Sequence, residues 1–124
     1  MDNAISHLLQ TAVDSVEQCE MIVAVCNGRN RWWTAGELAT ELFLGHSPTA
    51  RDLAVLATRG LLEVRIGNDV QYRFAPASSE LERSVVALAE LYRTQRVDVL
   101  GYIVRRKGRS LQHFAEAFDF RGGH

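Results

Sequence analysis

The chain has 124 residues, 47% of them hydrophobic and 23% charged, with a formal net charge of −1. These are the proportions of one soluble globular domain, large enough to bury about two-thirds of its unfolded surface without a disulfide or metal staple. No apolar run approaches the roughly 20 residues that span a bilayer. Asp2 stands where a secretory leader would carry basic residues, so a cytoplasmic protein without a membrane partner is expected.

Charge is distributed unevenly. Residues 1–50 carry six acids against two arginines, whereas residues 93–109 carry six cations against Asp98 alone. Cys19 and Cys26 are seven residues apart in a stretch of helical pattern. That spacing puts their Cα atoms about 10 Å apart, too far for a mutual disulfide. They read as buried structural thiols, with an intermolecular bridge or a redox role as the alternative.

In chain order, Ile5, Leu8, Leu9, Ala12, Val13, Val16, Cys19, Ile22, Val23 and Cys26 recur at steps of three and four. This spacing predicts one amphipathic helix over 4–27, ended by Asn27 and Gly28. Trp32 and Trp33 fall in a short connector with strand character. They read as core and hinge residues rather than as a base-stacking platform.

Thr34 and Glu37 form a capping box that starts a second helix, with Leu38, Ala39 and Leu42 on one face. Ser47 followed by Pro48 predicts the cap and first position of a third helix running to Arg59, where Gly60 stops it. Leu53, Val55 and Leu56 are its expected core positions.

Two alternating strands follow, Leu62–Val64–Ile66 and Val70–Tyr72–Phe74. A three-residue loop of Gly67, Asn68 and Asp69 pairs Ile66 with Val70, Val64 with Tyr72 and Leu62 with Phe74, leaving every apolar residue on one face. A two-residue loop would mix the faces.

Pro76 ends the hairpin, and Ser79 with Glu82 predicts another capping box. From there Leu81, Val85, Leu88, Tyr92, Gln95, Val99 and Tyr102 form a heptad seam on one helix reaching about Arg106. Ser110 is expected to cap a short last helix bearing Leu111, Phe114, Ala115 and Phe118.

Helix, tight turn, helix and twisted hairpin in that order make a winged helix-turn-helix, a mainly α fold with a small β-hairpin (α+β). One domain over 1–124 is expected. It comprises an N-terminal helix and connector (1–33), the helix-turn-helix and wing (34–76), and a C-terminal dimerisation helix with a short last helix (77–124). The segment TAGELATELFLGHSPTARDLAVLATRGLLEVRIGNDVQYRF, residues 34–74, resembles bacterial winged-helix transcription regulators of the MarR, ArsR and PadR kind. The features that carry the likeness are the ELA helix, the S-P-T-A-R start, the L-x-x-L-x-x-x-G-L-L exit and the wing.

The resemblance implies a homodimer on double-stranded DNA, with helix 48–59 in the major groove and hairpin 61–74 on the backbone or minor groove. Candidate DNA contacts are then Ser47, Pro48, Thr49, Ala50, Arg51 and Ala54 on the helix, and Arg65, Asn68, Gln71 and Arg73 on the wing. Arg73 also lies opposite Glu63, so a cross-strand ion pair competes with a phosphate contact. Asp52 and Asp69 are acids at or near the same surface. The seam residues Leu81, Val85, Leu88, Tyr92, Val99 and Tyr102 are the expected dimer interface. Arg105, Arg106, Lys107 and Arg109 read either as a phosphate-binding patch or as cations at a helix C-terminus.

His7, His46, His113 and His124 are isolated, with no metal-ligand spacing, and no glycine-rich phosphate loop or nucleophile elbow occurs. No catalytic residue, metal or cofactor is therefore expected. A winged-helix module that docks a protein partner without binding DNA is the alternative reading.

Overall fold

The apolar stripe over 4–27 folds as two helices, α1 (Asn3–Thr11) and α2 (Val16–Asn27), rather than one. The structure, a computed structural model, describes residues 2–106. The expected last helix from Ser110, with Lys107 and Arg109, lies outside the described residues. The break between α1 and α2 has a local cause. Ser15 Oγ accepts from the Gln18 backbone N–H at 3.0 Å, and Gln18 Oε1 accepts from the Asp14 N–H at 3.0 Å. This Ser-x-x-Gln cap starts a new helix inside the apolar pattern. Ile5, Leu8 and Leu9 of α1 and Cys19, Ile22, Val23 and Cys26 of α2 all remain buried. Both cysteines are free, and burial pushes the Cys19 thiol up to about 12 and the Cys26 thiol up as well. They sit in the chain as buried hydrophobes.

Trp33–Thr34 form a short strand, β1, and α3 (Ala35–Leu42) follows from the expected capping box. Glu37 N–H donates to Thr34 Oγ1 at 3.1 Å, and Thr34 N–H donates to Glu37 Oε1 at 2.8 Å. Phe43 closes α3 in the left-handed conformation, φ 58°, with its ring exposed. The next helix, α4 (His46–Thr58), is capped by Gly45 and not by Ser47. Ser47 and Pro48 take its second and third positions, whose N–H groups have no helical acceptor, so the imino nitrogen of Pro48 costs no bond. Gly60 ends it at φ +84°, as expected.

β2 (Leu62–Ile66) and β3 (Val70–Phe74) pair in the expected register, with Ile66 opposite Val70 and Leu62 opposite Phe74. β1 adds to the other side of β3, giving the order β1-β3-β2. Leu62, Tyr72 and Phe74 face the core. Val64, Ile66 and Val70, on the same side but nearer the tip, are exposed because the hairpin outreaches the helices behind it.

The C-terminal helix departs from expectation at two places. α5 (Ser79–Thr94) is capped by Ser78, whose Oγ accepts from Leu81 N–H at 3.1 Å, so Ser79 is its first residue. It then ends at Gln95 (φ −136°, ψ 52°), where the Thr94 hydroxyl bonds back to the carbonyls of Glu90 and Leu91. Helix resumes as α6, described over 96–106.

The heptad seam runs across this bend and faces inward. Val85, Leu88 and Val99 are fully buried, and Leu81, Tyr92 and Tyr102 pack on the same core as α1 and α2. Tyr92 Oη donates to Glu20 Oε2 at 3.0 Å, and Gln10 Nε2 donates to Tyr102 Oη at 2.9 Å. The six seam residues expected to join two copies therefore cover the N-terminal helices of their own chain. The reason is elementary: α1 and α2 each carry an apolar stripe, and the seam is the surface that removes it from water.

Candidate nucleic-acid interface

The exposed face of α4 follows from its period. Thr49, Leu53 and Leu56 are fully buried, spaced four and three residues apart, which leaves Ser47, Arg51, Ala54 and Thr58 as the solvent stripe on the opposite side. Thr49 is accordingly withdrawn from the surface: a phosphate-donating role is incompatible with its 0% exposure. Its hydroxyl is buried without a hydrogen-bond partner among the described residues. Pro48 is exposed and Ala50 half-buried. His46, the first residue of α4, is exposed at the same end, its ring alongside Gly36 of α3.

The two acids that burdened this surface are both turned to other uses. Asp52 accepts from Gln18 Nε2 at 3.1 Å, drawing its carboxylate toward α2. At the wing tip, Asp69 accepts from the adjacent Val70 N–H at 2.9 Å through its side chain and from Gly67 N–H at 3.1 Å through its carbonyl. It thereby closes the loop that Asn68 exposes. Arg51 is left as the charged residue of the α4 stripe.

On the outward face of the wing, Arg73 Nε donates to Glu63 Oε1 at 2.9 Å, so the cross-strand ion pair is formed. Arg65 donates through Nε and Nη2 to Gln71 Oε1 at 3.0 and 2.7 Å. Both guanidinium groups lie over the ring of Trp32, at 4.2 Å for Arg65 and 4.5 Å for Arg73. Trp33 points the other way, into the core, with its N–H unpartnered among the described residues. Pairing both tryptophans as core residues missed this division. The alternation of a strand, which sends neighbouring side chains to opposite faces, was the signal that could have found it.

Much of the basic run near the C-terminal end is held within the chain. Arg96 donates to Glu20 and Tyr92 at 3.0 and 2.9 Å, Arg93 bonds Glu90 on its own helix, and Arg106 donates to the carbonyl of Gln10 at 3.1 Å. Gln10 lies in the last turn of α1, so Arg106 serves as a cation at a helix C-terminus, though of a different helix from its own. Among the described residues, no group of three His, Cys, Asp or Glu is placed to hold a metal ion, and no helix is long and apolar enough to cross a membrane.

No protein-family model and no curated protein matches the chain. Solved structures do. HlyU from Vibrio cholerae N16961 superposes with a TM-score of 0.58 at 24% identity, over 76% of this chain and 100% of that one. Reduced HlyU from the same organism gives 0.52 at 26% identity, over 72% and 90%. The M. tuberculosis transcriptional regulator MosR gives 0.55 at 20% identity, over 92% of this chain and 85% of that one. The fold is thus the winged helix expected from residues 34–74, an α+β arrangement with six helices and a three-stranded antiparallel sheet among the described residues.

Proposed function

We propose that this chain is a DNA-binding transcription regulator that acts as a homodimer, with α4 in the major groove and the wing on the DNA backbone. The observation that carries the reading is the solvent stripe of α4. Apart from Arg51, its charged group, it carries only the small side chains of Ser47, Ala54 and Thr58, while Asp52 is pulled aside. Arginine is the side chain suited to a guanine edge or a phosphate, and Ala54 offers a methyl contact to thymine. Ser47 and Pro48 stand at the N-terminal turn, where free N–H groups favour a phosphate. Ala50 lies beside them, and Asn68 and Arg65 extend the contact along the wing, Arg65 held there by Gln71. The winged-helix fold shared with a transcriptional regulator supports the same conclusion.

With the heptad seam occupied internally, the dimer contact falls on the outward face of α5. Arg83, Val86, Ala87 and Glu90 are symmetric about their midpoint, and Val86 is 41% exposed. Two copies packed antiparallel set Arg83 of each against Glu90 of the other, an isologous contact of the kind a two-fold axis requires. To read two successive major grooves, such a dimer would have to hold its two α4 helices about 34 Å apart, one turn of B-DNA.

The test is a fluorescence-anisotropy titration of the full chain on labelled duplex DNA at several salt concentrations. Binding that weakens steeply with salt, and that Arg51→Ala reduces by about tenfold, is the expected result. Absence of binding at low salt overturns the reading in favour of a winged-helix module that docks a protein partner.

A further inference from the structure

The outward face of the wing contains two arginines that the pattern of alternation makes equivalent, and their surroundings make different. Arg73 shares its charge with Glu63, so the pair is close to neutral. Arg65 has the same donor edge occupied, by the neutral amide of Gln71, and keeps its full positive charge. Its Nη1 has no partner among the described residues. An arginine that is oriented yet uncompensated is suited to a phosphate oxygen, because the rotamer entropy it would lose on binding is already lost on folding.

Trp32 supplies the orientation. It precedes β1, whose Trp33 and Thr34 lie opposite Tyr72 and Gln71 of β3. One step back along that antiparallel register brings Trp32 beside Arg73, and its ring carries both guanidinium groups. A tryptophan face is the strongest aromatic seat for a guanidinium, and stacking leaves the in-plane N–H groups free to donate. Gln71 fixes the in-plane rotation of Arg65 by accepting two of its bonds.

We infer that Trp32 and Gln71 are positioning residues that present Arg65 as the wing's phosphate contact, while Arg73 is an internal brace paired to Glu63. This rests on the DNA-binding reading of the previous subsection. It assigns to Trp32, the outer partner of a tryptophan pair, a role in affinity without contact to the nucleic acid.

The experiment measures affinity and its salt dependence for a short labelled duplex, with thermal melting of every variant alongside. Arg65→Gln is expected to lower affinity about tenfold and to reduce the salt slope by about one. Glu63→Gln combined with Arg73→Gln removes no net charge and should leave that slope where it was. Trp32→Leu should lower affinity about threefold to tenfold with the slope retained, and should add nothing further in the Arg65→Gln background. Gln71→Leu provides the same cycle should Trp32→Leu fail to fold. Additive losses in these cycles, or a Glu63→Gln/Arg73→Gln slope reduced as much as that of Arg65→Gln, overturn the assignment while leaving DNA binding through Arg51 in place. A wild-type chain that does not bind the duplex overturns both.

Discussion

The side-chain amide of Gln18, itself buried, donates to Asp52 Oδ1 at 3.1 Å and so ties the first turns of α2 to the middle of α4. The other end of the same amide accepts from Asp14 N–H at 3.0 Å and from Arg59 Nη1 at 3.2 Å. Arg59, just past the end of α4, also reaches the Ala12 carbonyl at 2.9 Å and Asp14 at 3.1 Å. One glutamine therefore joins the α1–α2 break to both the body and the end of the candidate recognition helix. Because the amide is buried, each partner it leaves behind would lose a bond that water cannot easily replace.

Gln18→Leu is expected to lower stability by about 2–3 kcal/mol, the cost of leaving several partly buried polar groups unsatisfied around a shape-matched apolar side chain. Urea unfolding followed by circular dichroism measures it. A midpoint equal to that of the wild type would show that the network carries no net stability.

Thr49→Val should act in the opposite direction. The hydroxyl is fully buried with no partner among the described residues, and valine has nearly the same shape. Removing an unpaired polar group from the core is expected to raise stability by about 1 kcal/mol. DNA affinity should be unchanged, because Thr49 faces inward; a large loss of affinity would restore the residue to the interface.

Stability should fall at alkaline pH through Cys19. Its thiol is raised from 9.0 to about 12, by burial first and by the neighbouring Glu20 carboxylate second. The folded state thus holds a proton that the unfolded chain releases above pH 9. The stabilisation is complete below that pH and is lost as pH rises toward 12, at up to about 1.4 kcal/mol per pH unit. Thermal melts of wild type and Cys19→Ala between pH 8 and 10.5, the range set by the raised pKa, should converge as pH rises. A constant gap between the two would contradict this origin.

Adjacent valines on α5 should behave differently. Val85 is fully buried against the chain's own helices, and Val85→Ala should cost about 2 kcal/mol through the cavity it leaves. Val86 is exposed on the face assigned to the dimer. Val86→Glu should leave the fold within about 0.5 kcal/mol of wild type while shifting the chain toward monomer. Sedimentation velocity on both variants reads the difference, and a dimer that survives Val86→Glu but not Val85→Ala would return the interface to the seam.

The Thr34 cap and the wing could be read from the sequence because each depends on residues a few positions apart. Thr34 and Glu37 satisfy one another's N–H groups whatever surrounds them, and the pleat of period two admits only one register that keeps Leu62, Val64, Ile66, Val70, Tyr72 and Phe74 on one face. Of the candidate contacts, Arg51, Ser47, Pro48 and Ala54 lie on the exposed side of α4. Thr49 does not, because it lies four and seven residues before Leu53 and Leu56 and so shares their inward stripe wherever the helix begins.

Helix ends that fall inside a continuous apolar pattern leave no mark on its period. Ser15 and Thr94 interrupt helices while the stripe on either side continues, so periodicity alone does not register the break. Amphipathic spacing by itself determined that one face of α1, α2 and α5 would leave water. Only the tertiary structure decided which surface each face meets, because hydrophobic burial has no direction and is satisfied equally by a second copy or by the chain's own helices. The proximity of α1, α2 and the seam within one chain settled that choice, and the same packing placed Gln18 against Asp52 and Trp32 beneath the wing's arginines.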